Sequence, residues 1–203
     1  PYLACRQGRV AGIPARLLRV GFVGELGYEL HVPASQGEAL WDALLAAGQD
    51  YGITPFGVET QRLLRLEKGH LIVGQDTDGM SHPGELGLEW AVSANKPFFV
   101  GKRSVDYLAQ AEQRRKLVGF TLPPDSTQPQ EGHLVLDAGD ISGNVTSCEY
   151  SPTMDNIIGL AYVRPHQSTE GERIDIRVDG AEVVRATVVP LPFYDPKNKR
   201  QAL

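Results

Sequence analysis

No stretch of this 203-residue sequence approaches the roughly 20 consecutive apolar residues that a membrane-spanning helix needs. The N-terminus also lacks the charged-then-apolar layout of a signal peptide. Cysteine is scarce: Cys5 and Cys148 are too far apart for a metal motif and too few for a disulfide framework, so a reducing, cytoplasmic setting is expected. Basic excess is missing as well. With 20 basic against 25 acidic residues the net charge is -5, which removes the electrostatic reason to expect nucleic acid as a partner. The short basic runs Arg114 to Lys116 and Lys197 to Arg200 read as solvated surface. There is no phosphate loop, no Gly-x-Ser-x-Gly and no paired-histidine metal motif. Asp76-Thr-Asp78-Gly79 lacks the oxygen ladder and closing glutamate of a calcium loop, so no metal is expected. His31, His70, His82, His133 and His166 are too scattered to assign a catalytic histidine.

What stands out is Gly21 to Pro33, where glycines at 21, 24 and 27 run into the alternating Tyr28, Glu29, Leu30, His31, Val32. Glycine permits positive φ and close approach of other atoms, so a bend feeding a strand is expected. Alternation puts Glu29 on the face opposite Tyr28, Leu30 and Val32. A carboxylate held there can accept N–H groups of a ligand. An ordinary solvated strand residue has the same pattern, and spacing alone leaves both readings open.

In chain order, a strand over 13–20 should pair with the one at 28–32. Ser35 and Glu38 have capping-box spacing before a helix with a Leu40, Trp41, Leu44, Leu45 stripe, ending near Gly48. Thr54-Pro55 should open a second helix that stops at Gly69. A short strand over 71–73, a long polar loop over 74–87, a strand-like piece at Phe98 and a helix carrying Val105 and Leu108 follow. Trp90, taken alone, reads as core filling. From Lys116 the pattern turns all-β, with strands expected over 116–122, 133–136, 141–147, 157–163, 173–178 and 182–189. Asp179-Gly180 reads as a two-residue hairpin turn. The class is therefore α+β, with a boundary near residue 114 and a small barrel or sandwich after it.

Four motifs occur together and in order: Gly21-Phe-Val-Gly-Glu-Leu-Gly-Tyr-Glu-Leu30, Leu64-Arg-Leu-Glu-Lys-Gly69, Gly74-Gln-Asp-Thr-Asp78 and Phe99-Val-Gly-Lys-Arg103. Together they resemble the glycine-cleavage T-protein (aminomethyltransferase) family. Arg65 to Gly79 and Val189 to Pro196 are most similar to the C-terminal region of its heterotetrameric sarcosine oxidase alpha subunits. The resemblance implies an incomplete folate-binding aminomethyltransferase region over 1–114 and a C-terminal β-barrel domain over 115–203. It implies tetrahydrofolate as the ligand, with Glu29 hydrogen-bonding the pterin and Phe22, Tyr28 and Trp90 as aromatic walls. Phe22 stands where the family motif has tyrosine, so only ring packing remains there. Gln61 stands where T-proteins have an arginine, and neighbouring Arg62 is the expected substitute.

The family's catalytic aspartate has no counterpart in these residues, which implies that the chain alone is inactive and that no catalytic residue is expected within it. Its start at Pro1, inside ordinary globular sequence, points to a processed product or a piece of a longer polypeptide. The implied activity is oxidation of sarcosine with capture of the one-carbon unit as 5,10-methylenetetrahydrofolate. FAD, FMN, NAD and the beta, gamma and delta subunits are implied only for the parent heterotetramer. A non-catalytic folate-binding or sensing module and an aminomethyltransferase of glycine cleavage are the alternatives.

Overall fold

The computed structural model describes residues 1–202, which form two compact units. The first comprises residues 1–65 with 197–202, and the second residues 66–196.

In the first unit, strands β1 (Cys5–Val10), β2 (Ile13–Leu18) and β3 (Glu29–His31) form an antiparallel sheet in that order. The expected pairing of the second and third is present, with Leu18 opposite Glu29 and Arg16 opposite His31. β1 was not expected. Cys-Arg-Gln-Gly-Arg has no apolar alternation and lies exposed, so the backbone ladder and the left-handed Ala11-Gly12 turn define this strand.

Helix α1 spans Gly37–Gly48, but the Ser35–Glu38 capping box does not form. Pro33 opens a 3-10 turn over Ala34–Gln36, closed by Gln36 N–H on Pro33 C=O at 2.8 Å, and this turn consumes the serine position. Of the expected stripe only Leu40 is buried, while Trp41 and Leu44 are exposed. The described residues of this unit supply no layer to receive them. Helix α2 begins at Val58, not at Thr54-Pro55, and ends at Glu67, its last two residues belonging to the second unit. Thr54 spends its hydroxyl on the Gly52 carbonyl instead of capping. Gly69 (φ +69°) closes the helix, donating to Leu66 C=O.

The second unit contains helix α3 (Lys102–Leu108) and a closed six-stranded barrel. Its strands are β4 (Lys116–Leu122), β5 (Leu134–Asp137), β6 (Asp140–Ser151), β7 (Asn156–Val163), β8 (Arg173–Arg177) and β9 (Val183–Val189), in the spatial order β4-β7-β6-β5-β8-β9. The barrel reading thus holds over the sandwich. Phe120, Val135, Val145, Val163, Ile174 and Ile176 fill its interior. The β8–β9 hairpin turns through three residues, Asp179 to Ala181, not two: Arg177 pairs with Val183, Val178 N–H bonds the Glu182 carbonyl, and Gly180 and Ala181 are left-handed. Residues 71–73 form no strand, only a single bridge from Val73 to Thr77, and Phe98 and Val100 lie exposed in coil.

Two of the four sequence motifs lie against the barrel. Leu66 packs on Ile158 and Leu160; Ser151 donates to Glu67 at 2.6 Å; and Lys68 bonds the Asp195 carbonyl at 2.7 Å, with its carboxylate at 3.6 Å. In the other motif, the fully buried Asp76 accepts from Thr146 (2.7 Å) and Ser147 (2.6 Å) through one oxygen and from Ile72 N–H (2.8 Å) through the other. Consecutive strand residues normally face opposite ways. The β6 register shifts between Val145 and Ser147, and such a bulge turns two neighbouring hydroxyls to one acceptor.

Replacing Asp76 with alanine should lower unfolding stability by at least about 2 kcal/mol, because buried hydroxyls lose their acceptor. An unchanged urea midpoint would contradict this role. Cys148 is buried and Cys5 exposed. Burial, with a smaller contribution from Glu149, pushes the Cys148 thiol far above its ordinary range. A thiol reagent should therefore titrate one cysteine in the native protein and two in denaturant; two fast native thiols would count against the buried placement.

Candidate functional site

The glycine bend closes tightly on itself. A Cβ at Gly27 would stand 2.6 Å from the Val20 carbonyl oxygen, and one at Gly21 2.9 Å from that of Glu25; Gly24 has φ +81°. Side chains at 21 and 27 would force backbone apart, so the glycines are there to let residues 20–27 fold into a compact knuckle. That knuckle leads through Tyr28 into the edge strand β3 at Glu29 and leaves Phe22 partly exposed within the bend.

Glu29 and His31 are two apart on β3, hence on one face. His31 Nε2 lies 2.9 Å from Glu29 Oε2, with 57% of the histidine side chain and 58% of the glutamate side chain exposed. The second oxygen, Oε1, makes no hydrogen bond among the described residues. An open acceptor beside a histidine suits a ligand edge rich in N–H donors. Leu30 and Val32 are half-buried, as the alternation requires, but Tyr28 is exposed because the strand starts only at Glu29. Arg62 lies on α2 and is paired with Glu59 at 3.8 Å, one turn away, rather than with Glu29. Trp90, in a 3-10 turn of the second unit, is 82% exposed. Core filling is therefore overturned for this side chain.

Of the five expected residues, Phe22, Tyr28 and Glu29 come from one continuous segment, whereas Arg62 and Trp90 come from separate elements. His31 was not singled out, although its position two after Glu29 carried the signal.

A hollow of about 1010 Å³ in the second unit contains none of these residues. His82, Glu85, Tyr107, Arg114, Arg164 and His166 line it, and several of its charges are already spent. Arg164 and His166 share Asp137 at 2.7 and 3.1 Å, and Arg115 holds Glu85 at 3.3 Å while its guanidinium lies 4.1 Å from the Tyr162 ring centre. The Arg164 hydrogen bond, aided by His166 and opposed by burial, lowers the Asp137 carboxyl below its ordinary value. That interaction is in place at neutral pH and fades as pH falls through the lowered value. His82 is committed too: its ring Nδ1 accepts from Gly84 N–H at 3.1 Å, and its backbone N–H donates to Glu85 at 3.2 Å. His82, Glu85, Arg164 and His166 are thus held by structural partners, and the glycine bend remains the better candidate.

Two family models match the chain: the GCVT N-terminal domain over residues 1–96 and the glycine cleavage T-protein C-terminal barrel domain over residues 115–195. The chain belongs to the glycine cleavage T-protein family. It is 41% identical over 186 residues to an aminomethyltransferase of Halothermothrix orenii, covering 92% of this chain and 52% of that protein. It is 39% identical over 200 residues to sarcosine oxidase subunit alpha of a Corynebacterium species (strain U-96), covering 94% of this chain and 20% of the relative. The crystal structure of glycine cleavage system aminomethyltransferase T from Bartonella henselae superposes with a TM-score of 0.81 at 28% identity, covering 88% of this chain and 49% of that one. The chain thus spans about half the length of these aminomethyltransferases and about a fifth of the sarcosine oxidase subunit. Among the described residues no helix is long and apolar enough to cross a membrane, and no group of histidine, cysteine or acidic side chains is arranged to hold a metal ion.

Proposed function

We propose that this chain is part of a sarcosine oxidase alpha subunit, where it captures the one-carbon unit of oxidised sarcosine on tetrahydrofolate to give 5,10-methylenetetrahydrofolate. The observation that supports it most directly is Glu29, fixed behind the glycine knuckle with one carboxylate oxygen bound to His31 and the other open to N–H donors. In this reading Glu29 holds the pterin edge, Phe22, Tyr28 and Trp90 offer ring faces, and Arg62 stands in for the arginine that Gln61 replaces. Residues 1–114 are the C-terminal part of the folate-binding domain, and residues 115–203 are its barrel. The chemical logic is orientation: a nucleophilic nitrogen held in place meets the iminium carbon before water does.

FAD, FMN and NAD, and the beta, gamma and delta subunits, belong in this proposal to the cytoplasmic parent assembly; the chain by itself is inactive. Identity to the Halothermothrix aminomethyltransferase favours one second reading, aminomethyl transfer in glycine cleavage. The departures at Phe22 and Gln61 weigh against it.

Calorimetry with tetrahydrofolate on the full-length parent polypeptide should show Glu29→Ala binding about 10- to 100-fold more weakly than wild type, the range of a charge-assisted hydrogen bond. Equal affinities would remove Glu29 from the site, and absence of binding to either would end the folate reading. With partner subunits present, sarcosine turnover forming 5,10-methylenetetrahydrofolate separates this reading from glycine cleavage.

A further inference from the structure

The glycine knuckle does not hold its shape alone. Residues 197–202 return to the first unit as a short turn: Asn198 is left-handed (φ 54°), Lys199–Gln201 form a 3-10 turn, and Ala202 is extended. The turn grips the bend at three points. Leu26 N–H donates to the Arg200 carbonyl at 3.2 Å, the Arg200 Nε–H donates to Glu25 Oε1, and Arg19, just before the bend, donates from Nη2 to the Gln201 carbonyl at 2.9 Å. Glu25 and Leu26 lie within the bend, two or more residues before Tyr28 and Glu29.

A compact loop whose ring is closed by glycines has little side-chain packing to stiffen it, and glycine positions are the most expensive to order in the chain. External hydrogen bonds are therefore what fixes the direction in which the strand leaves. Two of the three grips use backbone carbonyls of the turn and one is an ion pair; two fall within the segment that carries Phe22, Tyr28 and Glu29, and the third falls just before it.

We propose that the turn over residues 197–202, and Arg200 within it, is a positioning element for the ligand wall: it touches no ligand but sets the pose of Glu29 by clamping Glu25 and Leu26. The proposal rests on the folate reading of Glu29 for its ligand, and on the geometry above for the clamp.

Both parts are testable on the full-length parent polypeptide. Arg200→Ala should raise amide hydrogen exchange over residues 21–29 and weaken tetrahydrofolate binding by about 2- to 5-fold, the range of one part-exposed ion pair. Deletion of residues 197–202, which removes all three grips, should weaken it by about tenfold or more. Reversing the pair, Glu25→Arg with Arg200→Glu, should restore exchange and affinity toward wild type, a rescue that general loss of stability does not produce. Unchanged exchange over 21–29 in both Arg200→Ala and the deletion would overturn the clamp. Faster exchange with unchanged affinity would overturn its link to the site. Wild type that binds no tetrahydrofolate, with the exchange response intact, would instead overturn the folate reading and the ligand named here.

Discussion

The buried carboxylate of Asp76 is the interaction on which the second unit's architecture depends. One oxygen collects two hydroxyls from adjacent residues of β6, and the other collects a backbone N–H from the start of its own loop. This is possible because the strand bulges at Thr146, so that neighbours which ordinarily diverge converge on one acceptor. The same loop presents its Asp76 carbonyl to the Tyr162 hydroxyl at 3.0 Å and its Gln75 amide to Thr146 and Ser147. A polar, glycine-bearing loop is thereby fixed on an otherwise apolar barrel, and a barrel strand acquires the bend that closure requires.

Two conspicuous motifs are thus explained by packing. The Arg-Leu-Glu-Lys-Gly run ends a helix and sends Leu66, Glu67 and Lys68 into contact with the barrel and with the segment after β9, where Tyr194 N–H bonds the Glu67 carbonyl. Residues that look chemically rich are buried, paired and structural. The glycine bend is the opposite case. Its glycines serve a close backbone turn, while the charged residue that follows stays open to solvent, and an open acceptor on a fixed strand is what ligand recognition requires.

Much of the barrel was legible because strand alternation and turn residues are local signals: β4, β7 and β9 lie within a residue of the expected bounds. Local signals failed where the partner is remote or the backbone does the work. β1 has no apolar pattern because its ladder partner alone makes it a strand. The Ser35–Glu38 and Thr54–Pro55 caps were plausible in isolation, but a 3-10 turn and an extended approach displaced them.

For the site, the sequence alone determined the glycine spacing, the phase of Glu29 on its strand and the family to which four ordered motifs point, since all three are properties of residues near one another along the chain. Only the tertiary structure decided that His31 binds one oxygen of Glu29, that Trp90 stays exposed, that Asp76 is spent inside the barrel, and that a turn 175 residues downstream of Glu25 holds the bend. Contacts between distant segments leave no local pattern, because their energy depends on where the folded backbone brings two groups and not on what stands beside either of them.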